Sequence, residues 1–251
     1  MQVHVEIAAP TLFWLPGLPI SNTVMTAILS SLVLIVLARL MTKNMLLVPG
    51  RLQCIGELVV EQFLTIGEQT ADARRARRFL PVAGTAFLFI LTANWLGILP
   101  FFGEGELFLQ HGEEKVNILR SANSDLNLTL AMSLIVFFLV EYIGFRSGGL
   151  AYAKEFIWPG LLIEVISHLA RPVALALRLF GNILAGEILL TVMTLLVPLV
   201  VPAFFLGFEM FVGIVQALIF ALLTLAFLSM STAHEAAHHL ADEAGEDLTH
   251  H

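Results

Sequence analysis

Apolar residues come in long blocks along this chain, and polar residues gather at the joints between them. The first run, about 22–41, is long enough to cross a membrane, since roughly 20 apolar residues span a hydrocarbon core of about 30 Å. Phe13, Trp14 and three prolines precede it, and aromatic residues in that place suit a membrane interface. From Leu52 to Ile66 the pattern changes. Leu52, Ile55, Leu58, Val59, Phe63 and Ile66 recur at helical spacing while Gln53, Glu57, Glu61 and Gln62 take other faces. This predicts an amphipathic helix lying on the membrane surface. A second run covers 79–102, and a loop carrying Glu104, Glu106, Glu113 and Glu114 leads to a third over 126–145.

The fourth apolar segment, 156–197, has 42 residues. As one helix it would measure about 63 Å, roughly twice the hydrocarbon thickness. Two ordinary spans turning at Gly181-Asn182 fit the hydropathy equally well. After Pro198 and Pro202 a fifth segment runs over 203–232, and the tail from His234 to His251 is polar and acidic. The expected fold is an all-α integral membrane protein with one domain, in which 1–21 form an outer N-terminal segment, 22–233 a helical bundle and 234–251 a polar cytoplasmic tail.

Composition agrees. With 58% hydrophobic and 13% charged residues and a mean hydropathy of +0.87, the chain is too apolar for a soluble domain of 251 residues. A net charge of -7 argues against a nucleic-acid partner, which calls for a basic patch. One cysteine, Cys54, excludes an intrachain disulfide framework. The N-terminus lacks the basic region of a signal peptide, so the first run is expected to remain as a span. Of the thirteen lysines and arginines, nine sit at the joint between the first and second spans or at that between the third and fourth. Lys115 and Arg120 lie in the acidic loop, and two more arginines lie inside the fourth segment. The positive-inside rule places the N-terminus outside and both basic joints in the cytoplasm. With five spans the C-terminus is then cytoplasmic.

The two arginines inside the fourth segment, Arg171 and Arg178, are the candidate chemistry. A charge at mid-bilayer costs roughly 3 kcal/mol on insertion scales, so an intramembrane arginine points to function unless it snorkels to the headgroups. Snorkelling suits Arg171 better, because Arg178 has apolar sequence on both sides and the next charge is Glu187. At 100° per residue Glu164, His168, Arg171, Arg178 and Asn182 fall within one broad stripe, while Glu187, nine residues after Arg178, points the opposite way. Glu209 and Gln216 are seven residues apart on the last segment and stack on one face.

These residues carry a resemblance. Arg178-Leu-Phe-Gly-Asn-x-x-Ala-Gly-Glu187, followed by Gln216-Ala-Leu-Ile-Phe-Ala-Leu-Leu-Thr224, resembles subunit a of the F-type ATP synthases. The likeness extends more loosely to Asn94-Trp95-Leu96 and Ser124-Asp125-Leu126-Asn127. It implies that the fourth segment is one long tilted helix against a rotor ring of c subunits, with the fifth returning beside it. It further implies a stator held by a peripheral stalk of b subunits in the bacterial inner membrane. Two offset half-channels would carry H⁺ to and from the rotor carboxylates, with no cofactor and no ATP chemistry in this chain; Na⁺ is not excluded, because the binding carboxylate belongs to the c subunit. Arg178 is then the essential residue and Arg171 a secondary one. Glu187, Glu209, Gln216 and Asn182 line the path, with Glu187 and Glu209 on the outer side and Glu164 and His168 on the cytoplasmic side. Two carboxylates sharing one low-dielectric site do not ionise together easily, which suits groups that take up and release protons. The chain departs from the family pattern in having two carboxylates where one carboxylate and one histidine often stand, and in having Ala174 four residues before the arginine.

Two other classes compete. His234-Glu235-x-x-His238 fits the zinc-protease motif H-E-x-x-H, but it lies in a hydrophilic tail where no supporting site surrounds it. A free-standing channel or secondary transporter predicts internal repeats, and none is evident. The expected metal content is therefore none.

Overall fold

The computed structural model describes residues 11–15, 18–43, 45–46, 49–70, 73–98, 108–111, 114–117, 120–155, 161–197 and 200–232. Among these residues six α-helices run in chain order: α1 (Asn22–Thr42), α2 (Arg51–Thr70), α3 (Ala73–Ile98), α4 (Leu126–Glu155), α5 (Leu161–Leu196) and α6 (Val200–Ser231). All but α2 are long and apolar enough to cross a membrane. The expected all-α membrane architecture with five spans is observed. Two short antiparallel hairpins add to it, β1 (Thr11–Leu15) with β2 (Leu18–Ser21) and β3 (Phe108–His111) with β4 (Glu114–Asn117). The hydropathy pattern did not reveal these strands, which are four or five residues long and lie in the aromatic segment before α1 and in the acidic loop before α4.

Within the fourth apolar segment, α5 is a single helix. Its 36 residues would extend about 54 Å at the standard rise. Neither Gly181 nor Asn182 interrupts it, because a lone glycine costs a helix only about 1 kcal/mol. Pro172 sits inside α5, removing the backbone bond to the carbonyl of His168 and loosening that turn. Two boundaries differ from the hydropathy reading. α3 begins at Ala73, so the four arginines Arg74, Arg75, Arg77 and Arg78 belong to its first turns. α4 continues past Arg146 to Glu155. Helices can run beyond the bilayer into water, and hydropathy marks only the part within it.

α3 and α6 share the most extensive packing, and on them Ala83, Ala93, Ala217 and Ala221 are fully buried. Small residues let helix backbones approach where lipid supplies no hydrophobic drive. Around that seam Phe79, Ile90, Leu179, Phe220, Leu225 and Leu228 fill the core. On α2 Phe63 turns inward, whereas Leu52, Ile55 and Leu58 stay exposed, as a surface helix with its apolar face to lipid requires. Asp125 caps α4 by accepting from the Asn127 N–H at 2.8 Å and ties it to α1 by accepting from Thr23 Oγ1 at 3.1 Å.

Candidate functional site

α5 presents two unlike faces. His168, Pro172, Leu175, Leu179 and Ile183 recur at three- and four-residue steps and are buried against the bundle. Arg178 is exposed, and Ser167, Ala170, Ala174, Gly181 and Ala185 share that exposure. Among the described residues no carboxylate lies within ion-pair distance of Arg178. A Cβ built on Gly181 meets nothing within 4 Å, so the surface beside the arginine is open. Proximity in the helical projection had put His168 and Arg178 on one stripe. The structure divides that stripe: ten residues turn 1000°, leaving the two about 80° apart, and packing puts one inside and the other outside.

Arg171 takes a third position. It is half-buried, with its guanidinium 5.1 Å from the centre of the Phe227 ring. Asn182 is half-buried one turn beyond Arg178, and Gln216 is buried on α6 at 6% exposure. Among the described residues no hydrogen bond links Arg178 to Gln216. Glu164 belongs to α5, but its side chain lies outside the described residues, as does the whole His234-Glu235-x-x-His238 motif.

At the other end of the α5–α6 hairpin the two carboxylates come to one level. Glu209 is buried at 8% exposure and packs on the α5 backbone at Gly186, where a Cβ would lie 2.5 Å from its Oε1. Only a glycine leaves the carboxylate that place. Glu187, the next residue, turns to Arg120, whose Nη2 and Nε donate to Oε2 at 2.6 and 3.0 Å. Sequence reasoning assigned Arg120 only to the acidic loop. The available signal was its position as the last cation before the Ser124-Asp125-Leu126-Asn127 block.

A buried polar cluster lies close by. The turn holding Ser121, Asn123 and Ser124 packs against α3, and Asn123 Nδ2 donates to Asn94 Oδ1 at 2.6 Å. Asn94 Nδ2, Asn123 Oδ1 and Ser121 Oγ are buried without a hydrogen-bond partner among the described residues. Such atoms ordinarily recruit ordered water. On α6, Gly213 faces Asn94, which joins this cluster to the helix bearing Glu209 and Gln216. On the bundle side of α5, His168 Nδ1 lies 2.6 Å from Glu141 Oε1 of α4. Glu141 is a second partner that the sequence reading did not single out.

The model of the family described as ATP synthase A chain matches residues 23–229. The chain belongs to that family. It is 36% identical over 228 residues to "ATP synthase subunit a 1" of Hahella chejuensis, covering 89% of each chain. It is 35% identical to "ATP synthase subunit a" of Gloeobacter violaceus, over 87% of this chain and 86% of the other. A further subunit a, from Campylobacter jejuni, is 33% identical over 84% and 89% of the two chains. As a member of the ATP synthase A chain family, this protein is a multi-pass membrane subunit of a multi-subunit complex. It serves as the stator that passes ions through the membrane sector, and ATP chemistry lies in other subunits.

Proposed function

We propose that Arg178 is the rotor-facing charge of this stator and that ions reach it through two half-channels on opposite sides of its level. The observation that carries the reading is the exposed guanidinium among small residues on the open face of α5, with no carboxylate within ion-pair distance among the described residues. A charge placed so in a membrane span awaits an anion from outside the chain, and a helix of the c-subunit ring carrying a carboxylate fits that face. At ~4 Å and an effective dielectric of ~20, the attraction is about 4 kcal/mol. The rotor carboxylate is thereby favoured as the anion and gives up its ion as it arrives. A guanidinium does not release its proton in proteins, so Arg178 cannot relay protons itself and instead separates the two half-channels.

The outer half-channel comprises Glu209, Glu187 and Gln216, with Asn182 near the level of Arg178. The buried Asn94, Ser121 and Asn123 support it, since their unsatisfied polar atoms favour water there. The cytoplasmic half-channel comprises Glu164 and His168. The chain sits in the bacterial inner membrane with its N-terminus outside and its C-terminus in the cytoplasm, and a b-subunit stalk holds it against torque. The single membrane domain is 22–233, flanked by the outer segment and the cytoplasmic tail.

The test is Arg178→Ala in the assembled complex, with ATP synthesis measured in energised vesicles at matched complex content. Synthesis should be abolished while assembly persists, because Arg178 makes no ion pair with the described residues. Synthesis near the unmodified rate would end this reading.

A further inference from the structure

Four arginines, Arg74, Arg75, Arg77 and Arg78, open α3. Against Glu68 and Asp72, the carboxylates of the same stretch, four cations less two anions leave residues 68–78 with a charge of +2. At 100° per residue the four positions cover about 160° of the helix, and Ala76, buried at 1%, lies opposite their centre. The cluster therefore faces away from the bundle: Arg74, Arg77 and Arg78 are exposed and Arg75 is half-buried. Arg77 Nε lies 3.4 Å from Glu68 Oε1 of α2, an exposed pair of little strength. Arg78 sits 5.5 Å from the centre of the Phe79 ring, which leaves its charge in place.

Depth decides what such a cluster meets. α3 has 26 residues, and the six up to Arg78 leave 20 from Phe79 onward. Those 20 residues rise about 30 Å, the thickness of the hydrocarbon core. The arginines thus stand in the headgroup layer, which is about 5–7 Å deep. The Arg77–Glu68 contact and the approach of Gly67 to Ala76 bring α2 to the same level. There Leu52, Ile55 and Leu58 are exposed, ready to enter lipid. The charges of α2 itself, Glu57, Glu61 and Glu68 against Arg51, give it no attraction for an anionic surface. α3 supplies that attraction, since basic clusters beside a span draw anionic headgroups to them.

We propose that the joint of α2 and α3 is a docking surface for anionic phospholipid headgroups, with Arg74 and Arg78 as its phosphate-binding pair. The two are four residues apart and share one face of the helix, where their guanidinium forks match phosphate oxygens. Lipid fits this surface better than a protein partner does, because phosphates already fill the layer at that depth and the apolar face of α2 enters the same layer. Neither the role of Arg178 nor the side of the membrane on which the joint lies enters that placement.

The experiment uses the assembled complex, free of other reactive cysteines, with Cys54→Ser and Gln69→Cys and a fluorophore on the new thiol. It is reconstituted in phosphatidylethanolamine vesicles containing rising fractions of brominated phosphatidylglycerol or brominated phosphatidylcholine, whose bromines quench on contact. Each arginine near the surface is worth about a fivefold preference for an anion, so half-maximal quenching should need at least about fivefold less phosphatidylglycerol than phosphatidylcholine. With Arg74→Gln and Arg78→Gln the two lipids should come within about twofold of each other, whereas Arg74→Lys and Arg78→Lys should keep most of the preference. Arg146→Gln, an exposed cation on α4, should leave it unchanged. A full preference in the double glutamine variant overturns the proposal, and so does an equal fall in Arg146→Gln, which would mark a response to net charge alone. Loss of a neighbouring subunit from the double variant, with no lipid preference in the unmodified complex, would assign the arginines to a protein contact and overturn it too. Should the double variant fail to assemble, the unmodified complex decides: its preference should shrink as salt is raised, and equal quenching by the two lipids, or a preference that salt does not touch, overturns the proposal.

Discussion

Arg120 and Glu187 join the loop before α4 to the C-terminal half of α5 through hydrogen bonds from Nε and Nη2 that reach both carboxylate oxygens. Their side chains are 16% and 24% exposed, so each charge gives up much of its water for the other. Glu187 therefore holds a fixed partner in Arg120, while Glu209 packs beside it against Gly186. Removing one member of a largely buried pair strands the other charge, whereas removing both costs less. Arg120→Leu should thus reduce ATP synthesis more than Arg120→Leu combined with Glu187→Gln. Measured rates that simply multiply across the two single variants would show that the pair is not coupled.

Gly186 and Gly97 should respond differently to alanine. A Cβ at Gly186 meets the end of the Glu209 side chain, which can swing away, so Gly186→Ala should assemble normally and slow proton flux by displacing the carboxylate. A Cβ at Gly97 falls 2.5 Å from Cα of Ser121 and 2.6 Å from its nitrogen, and backbone cannot yield so cheaply. Gly97→Ala should lower the yield of assembled complex, by about 1–3 kcal/mol of stability. Subunit content in purified membranes and proton conduction per complex separate the two effects, and equal yields would refute the distinction.

The two arginines of α5 should rank in order. Arg178→Lys should lose most synthesis, because lysine lacks the planar fork and sheds its charge more readily when desolvated. Arg171→Ala should be milder, since its guanidinium stacks on Phe227, a contact worth on the order of 1 kcal/mol. Rates at matched complex content decide it, and an Arg171→Ala defect as deep as that of Arg178→Ala would contradict the ranking.

Orientation can be read with thiols. With Cys54 replaced, a cysteine at Thr249 should react with an impermeant reagent only in inverted vesicles. Reaction in intact cells would require an even number of spans or an inward N-terminus.

The half-channels themselves are tested by cysteines at positions 187, 209 and 164. The first two should react with small thiol reagents from outside and the third from the cytoplasm. If all three are reached from one side, the assignment by depth is wrong.

Much of the fold was legible in the sequence because the bilayer forces it. Each span must be apolar for about 20 residues, so hydropathy outlined five spans and the surface helix α2. The family was legible in the blocks from Arg178 to Glu187 and from Gln216 to Thr224, which place charged and polar residues where lipid makes them costly. Hydropathy could not choose between one helix and two over 156–197, because an apolar glycine-asparagine step suits both; continuous backbone bonding in α5 decided it. Nor could helical periodicity separate His168 from Arg178. A broad stripe has two edges, and only the packing of α4 and α6 on one of them made it interior. The partners Arg120 and Glu141 lie 67 and 27 residues from the groups they meet. Nothing local in a sequence encodes such meetings. They follow from the way α4, α6 and the turn before α4 close around α5, and that closure is a property of the tertiary structure alone.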